Sequence, residues 1–176
     1  MKIGFCGTMS CGKTTLVKAL KKLPEFKGYK FQTERSKYLK NLGIPLNTDS
    51  TFKGQLVFMA ERSSELMNDN IITDRTIIDV IAFSSLSESM RPDEKDAFRQ
   101  TARLLIEEYD YIFYVNPDGV EIEDNKVRET NPEYRNKIDT SIKEIISKNI
   151  HRIKNYAEIK GTTQERIETI KSLLFP

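Results

Sequence analysis

Two glycines, a lysine and two threonines lie close together near the start of the chain, in the segment GFCGTMSCGKTTLVKAL at residues 4–20. Residues 7–14 match the pattern G-x-x-x-x-G-K-[ST] at every position. Glycine permits backbone angles and close approaches that a Cβ would block, so the amide hydrogens of such a loop can turn inward around an anion. The first turn of the following helix adds the positive end of its dipole. The spacing therefore predicts a loop that binds the phosphates of a nucleotide.

The residues at the carboxyl end of this loop have distinct predicted roles. Lys13 is expected to reach the β- and γ-phosphates as a mobile point charge, and Thr14 to ligate Mg²⁺ through its hydroxyl. Thr15 is placed for the α-phosphate. The predicted nucleotide-binding residues of the loop are Gly7, Thr8, Met9, Ser10, Cys11, Gly12, Lys13, Thr14 and Thr15.

A second pair of chemically useful residues follows the apolar run NIIT at 70–73. Asp74 stands where nucleotide-binding sheets carry the acid that holds Mg²⁺ directly or through water. Arg75 comes next, where motor-type ATPases usually have a glutamate that polarises water. An arginine suits an acceptor phosphate or an anionic transition state better than it suits water activation. The alternative is that Asp74 caps the next helix and Arg75 forms a surface ion pair.

The segment FQTER at 31–35 supplies a candidate base. Glu34 could take the proton from an attacking hydroxyl group, and Arg35 could hold a substrate phosphate or stabilise developing charge. The sequence favours this interpretation no more than an ordinary solvated pair at a helix start.

Two further arginines are associated with a long polar stretch, and we expect residues 118–135 to form a lid. A lid over a nucleotide must be mobile when the site is empty and cationic when it is closed. Arg128 and Arg135 suit that role because phosphoryl transfer passes through a charge-rich, loosely bonded group. The alternative is a solvated loop with charges at a helix start.

These residues need a scaffold, and the apolar pattern predicts one. Short apolar runs at 2–6, 29–33, 70–73, 110–115 and 156–161 alternate with helical periodicity. Such alternation predicts an α/β fold, a five-stranded parallel sheet with helices on both faces. Ligands bind at the carboxyl ends of such strands, where the polar residues above converge. The tetrad NKID at 136–139 resembles a guanine-reading motif, but it falls within a predicted helix and not at a strand end.

Composition bounds the class of protein. The chain has 176 residues and a net charge of +2, from 28 basic and 26 acidic residues. This length fits one domain, residues 1–176, and so small a charge neither requires nor excludes nucleic acid. No window is long enough for a membrane span, and the first motif leaves no room for a secretory signal. Cys6 and Cys11 are too close for a disulfide framework, so free thiols and a cytoplasmic location are expected.

Together these motifs resemble small P-loop kinases. The resemblance rests on the phosphate loop, the Glu-Arg pair, TDRTIIDVIAF, the stretch from YDYIFYVNPDGV to Arg135, and IKGTTQERIETI. The nearest likeness is to the nicotinamide-riboside-kinase-like group and the thymidylate and deoxynucleoside monophosphate kinases, a type that includes virus-encoded members. The resemblance implies a P-loop NTPase three-layer α/β/α sandwich and ATP- and Mg²⁺-dependent phosphoryl transfer. It also implies that Gly161 and Thr162 lie near the adenine.

Three functions remain open at this point. The first is a kinase acting on a nucleoside or nucleoside monophosphate. The second is a kinase acting on a nucleic-acid end or a modified DNA base, and the third is an ATPase or nucleotide switch without an acceptor. The sequence leaves the preference for ATP over GTP and the oligomeric state open, with a homodimer among the options.

Overall fold

Five strands form the centre of the protein. The computed structural model describes residues 1–33, 35–120 and 131–176. The strands are β1 Lys2–Cys6, β2 Lys30–Gln32, β3 Ile71–Asp74, β4 Tyr111–Val115 and β5 Tyr156–Ile159. They pair in parallel in the order β2-β3-β1-β4-β5. The carboxyl ends of all five strands therefore lie along one edge of the sheet.

Helices connect these strands, as the alternation in the sequence predicts. They are α1 Lys13–Leu20, α2 Ser36–Asn41, α3 Phe52–Glu65, α4 Ile77–Ser85, α5 Pro92–Ala102, α6 Pro132–Lys148 and α7 Thr163–Leu174. The sequence did not indicate α2, because this six-residue helix buries only Leu39 and so shows no apolar period. The NKID tetrad lies inside α6, which confirms its helical assignment.

The apolar residues form two cores, one on each face of the sheet. Alternate strand side chains point to opposite faces, so Phe5 of β1 packs with α1 and α7, whereas its neighbour Cys6 packs with α4 and α6. Helices α3 and α5 complete the second layer. The predicted α/β/α sandwich with a five-stranded parallel sheet is thus confirmed. Within the described part of the chain, no helix is both long and apolar enough to cross a membrane.

Candidate nucleotide-binding and phosphoryl-transfer site

The phosphate loop connects β1 to α1 and needs glycine at both ends. Gly7 and Gly12 have φ of 151° and 89°. A Cβ at Gly7 would lie 2.8 Å from the carbonyl oxygen of Val115, and one at Gly12 would lie 3.0 Å from Arg166 Nη1. Both positions thus combine unusual backbone angles with close neighbours, as the glycine spacing implied.

Lys13 is folded back over the loop that precedes it. Its Nζ donates to the carbonyl oxygens of Gly7 and Thr8, at 2.5 and 2.8 Å, and approaches Cys11 Sγ at 3.4 Å. Only 6% of the lysine is exposed. A cation is therefore held at the mouth of the loop, beside the position where a phosphate chain would lie.

Thr14 and Asp74 meet across the junction of α1 and β3. Thr14 Oγ1 donates to Asp74 Oδ2 at 2.5 Å. The other carboxylate oxygen, Asp74 Oδ1, is buried and has no hydrogen-bond partner among the residues that the structure describes. Because the hydroxyl proton is directed at Asp74, lone pairs of the Thr14 oxygen stay available to a cation. Hydroxyl and carboxylate oxygens are the ligands that Mg²⁺ prefers, so this pair fits the ion that the sequence analysis predicted.

Arg75 follows Asp74 in an unusual backbone conformation. Its φ is 112°, a region that favours glycine. Its guanidinium group lies over the ring of Phe83, 4.8 Å from the centroid, and its amide donates to the carbonyl of Phe5. Strained residues cluster at functional sites when their surroundings hold them in place. The conformation is consistent with a functional arginine beside the Thr14–Asp74 pair.

Asp79 holds the loop from beneath, a role that the sequence analysis did not identify. This fully buried carboxylate accepts from the amide of Gly7 at 3.1 Å and from the amide and hydroxyl of Thr76 at 2.8 and 3.0 Å. The T-x-x-D spacing of Thr76 and Asp79 is that of a capping box. That local signal could have placed Asp79 at the start of α4, but not its bond to Gly7. Burial, reinforced by Asp79, also raises the pKa of the adjacent Cys6 thiol, which therefore stays protonated at neutral pH.

A cleft of about 920 Å³ joins these elements. Residues 9–15 line one side, and Asp74, Arg75 and the turn at Gly161–Thr162 also contribute. Thr162 accepts from the Glu165 amide, and Glu165 accepts from the Thr162 amide, so the two residues form a capping box at the start of α7. Asp118, Gly119 and Val120, at the start of the predicted lid, also line the cleft. Lining residues that the sequence analysis did not predict are Lys18, Thr33, Thr163, Glu165 and Arg166.

The remaining predicted arginines have different surroundings. Arg35 is exposed, pairs with Glu61 at 3.2 Å and lies 4.5 Å above the ring of Tyr38. The side chain of Arg135 faces the phosphate loop, where its Nε and Nη2 donate to the carbonyls of Met9 and Ser10. Neither Arg35 nor Arg135 is among the described residues that line the cleft.

Two predicted site residues, Glu34 and Arg128, lie outside the described residues, as does most of the predicted lid. Residues 118–119 form a turn, and residues 132–135 belong to the first turn of α6. The lid interpretation therefore remains a prediction.

Comparisons with known proteins show which family this chain belongs to. A protein-family model described as an AAA domain matches residues 2–166, so the chain belongs to that family. A search of curated proteins found no match.

Solved structures show the same fold at low sequence identity. Deoxyadenosine kinase from M. mycoides with bound dATP is 19% identical, with a TM-score of 0.66 and full coverage of both chains. The same kinase with the products dCMP and dCDP is 18% identical, with a TM-score of 0.67, covering 99% of this chain and 98% of that one. NadR protein in complex with NR is 15% identical, with a TM-score of 0.73; 97% of this chain matches 50% of NadR. The P-loop kinase fold is thereby established.

Proposed function

We propose that this protein is a kinase that transfers the γ-phosphoryl group of ATP, with Mg²⁺, to a nucleoside or a nucleoside monophosphate. One observation carries the proposal: the phosphate loop, the Thr14–Asp74 pair and Arg75 all line one cleft. A phosphate-binding loop and a cation site account for the donor. An arginine beside the cation site, in place of a water-polarising acid, favours an anionic acceptor or transition state.

The proposed mechanism consists of positioning and charge neutralisation, which dominate phosphoryl transfer. The loop amides hold the phosphate chain, and Lys13 leaves its two carbonyl partners to reach the β- and γ-phosphates. Thr14 and Asp74 hold Mg²⁺, which neutralises the phosphate oxygens when bound. Arg75, with Arg128 from the predicted lid, stabilises the charge that develops during transfer.

The structural neighbours support this choice of substrate class. A deoxyadenosine kinase with bound dATP shares the fold over its whole length, and a protein in complex with NR shares it over half of that protein. The matched family name, an AAA domain, is also compatible with hydrolysis that has no acceptor.

The test is a transfer assay that separates all these outcomes. The protein is incubated with Mg²⁺ and γ-labelled ATP or GTP, and with nucleosides, nucleoside monophosphates, nicotinamide riboside or short DNA. We expect label on a nucleoside or nucleoside monophosphate. Label on DNA, in a reaction that falls steeply with salt, would support a nucleic-acid kinase instead. Release of inorganic phosphate at a rate that no acceptor changes would support an ATPase.

The variant Glu34→Gln distinguishes the two proposed acceptor classes. A hydroxyl acceptor needs a base, so turnover should fall by about 10²-fold or more. A phosphate acceptor needs no strong base, so turnover should stay near that of the wild type, with Arg35 and Arg75 as clamps.

A further inference from the structure

We infer that Arg135 and Arg166 are positioning residues that hold the phosphate loop in its anion-binding conformation. The inference rests on the proposed function, because it concerns the loop that would hold the ATP phosphates. Arg166 lies on α7, only 3% of it is exposed, and its Nη1 donates to the carbonyl of Cys11 at 2.8 Å. Arg135 donates to the carbonyls of Met9 and Ser10, both at 3.2 Å.

The acceptors form a continuous series along the loop. Lys13 binds the carbonyls of residues 7 and 8, Arg135 those of residues 9 and 10, and Arg166 that of residue 11. Five successive carbonyls thus accept from cationic side chains. Lys13 must leave two of them when it moves to the phosphates, whereas the two arginines bind the other three without contributing to the transfer step.

Carbonyl direction determines amide direction in a planar trans peptide, because the C=O of one residue and the N–H of the next point opposite ways. Carbonyls 9–11 point toward the guanidinium groups, so the amides of residues 10–12 point away from them. Residues 10–12 also line the cleft. The two arginines therefore favour the peptide orientation that creates an anion nest, before any phosphate arrives.

The same arginines join the two walls of the cleft. Arg166 Nη2 also donates to the carbonyl of Asn116 at 3.0 Å, and Arg135 Nη2 to those of Pro117 and Val120 at 3.3 and 3.0 Å. The segment after β4 is thus tied to the loop after β1. In addition, the backbone carbonyl of Arg135 accepts from the hydroxyl of Thr8 at 2.9 Å. The first turn of α6 therefore both donates hydrogen bonds to the phosphate loop and accepts one from it.

The test measures affinity for inorganic tripolyphosphate in the presence of Mg²⁺ by calorimetry. Arg166→Met and Arg135→Met should each weaken binding about tenfold to hundredfold, the range for losing hydrogen bonds from a charged group. Arg166→Lys keeps the charge but replaces the guanidinium fork by a single ammonium group, so its loss of affinity should be smaller. Arg99→Met is the matched control, because Arg99 is exposed on α5 and pairs with Asp96; it should bind like the wild type.

Steady-state kinetics separates positioning from a purely structural role. Each methionine variant should raise the KM for ATP by the factor by which it weakens tripolyphosphate binding. The KM for the acceptor should stay unchanged. Folded variants that bind tripolyphosphate within twofold of the wild type would overturn the inference, as would equal changes in both KM values. If a methionine variant does not fold, Arg166→Lys and Arg135→Lys carry the same comparison.

The inference and the proposed function fail in different ways. A wild-type protein that does not bind tripolyphosphate contradicts both. A wild-type protein that binds it and transfers phosphate, beside arginine variants that do the same equally well, contradicts only the role given to Arg135 and Arg166.

Discussion

Replacing Asp74 by asparagine should separate its proposed catalytic role from any role in stability. The carboxylate accepts a hydrogen bond from the Thr14 hydroxyl at 2.5 Å, while its Oδ1 is buried without a partner in the described part of the chain. Replacing the charged acceptor of the Thr14 hydroxyl by a neutral amide costs about 1 kcal/mol, because hydrogen bonds to charged groups are stronger than neutral ones by about that much. Removing the negative charge of a buried carboxylate stabilises the folded state by a similar amount. The free energy of unfolding should therefore change by less than about 1 kcal/mol, or about 2–4 °C in Tm.

Catalysis should respond quite differently to the same change. Without the carboxylate, the Mg²⁺ site loses its negative ligand, so we expect turnover at saturating ATP to fall about 10²-fold or more. The assays are thermal unfolding and turnover as a function of Mg²⁺ concentration. Asp96→Asn, an exposed acid on α5, is the control and should change neither. A large loss of Tm with normal Mg²⁺-dependent turnover would refute the assignment and make Asp74 a structural partner of Thr14.

Three other changes test separate parts of the account. Lys13→Met should abolish measurable transfer while the protein still folds, because the bonds of its side chain to described residues all lie within its own loop. Unchanged turnover would contradict the phosphate role. Asp79→Leu should lower the free energy of unfolding by about 3 kcal/mol, measured in urea, since it leaves three buried donors unpaired; a loss below about 0.5 kcal/mol would contradict this. Burial raises the pKa of Glu65 to about 7, against the lowering effect of Arg62. Because the folded state then holds this proton more tightly than the unfolded state, Glu65 makes its full contribution to the free energy of unfolding below about pH 4.5. This contribution declines by up to about 3 kcal/mol as the pH rises to about 7. Glu65→Gln should flatten that decline in urea unfolding between pH 5 and pH 8, and an unaltered slope would exclude Glu65 as its source.

Local patterns in the chain were sufficient to predict the sheet and the phosphate loop. Strands buried on both faces are continuous apolar runs, and the glycines of the loop are required by backbone geometry, so both leave a signal within a few residues. The Thr162–Glu165 capping box is equally local, because its two residues are three positions apart. The short helix α2 left no such signal, because it buries a single residue.

The sequence by itself predicted which segment would bind phosphate and which acid, Asp74, would accompany it, because both lie in short motifs attached to recognisable strands. Only the tertiary structure decided where Arg135, which is half-buried, and Arg166, which is buried, act. Arg135 and Arg166 are 126 and 155 residues from their loop partners Met9 and Cys11. The local pattern indicated Arg135 as a lid arginine but not its bonds to the loop, and it did not distinguish Arg166 from a solvated helix charge. Their roles arise because the fold brings α6 and α7 against the loop after β1, where the carbonyls of residues 9–11 accept from the two guanidinium groups.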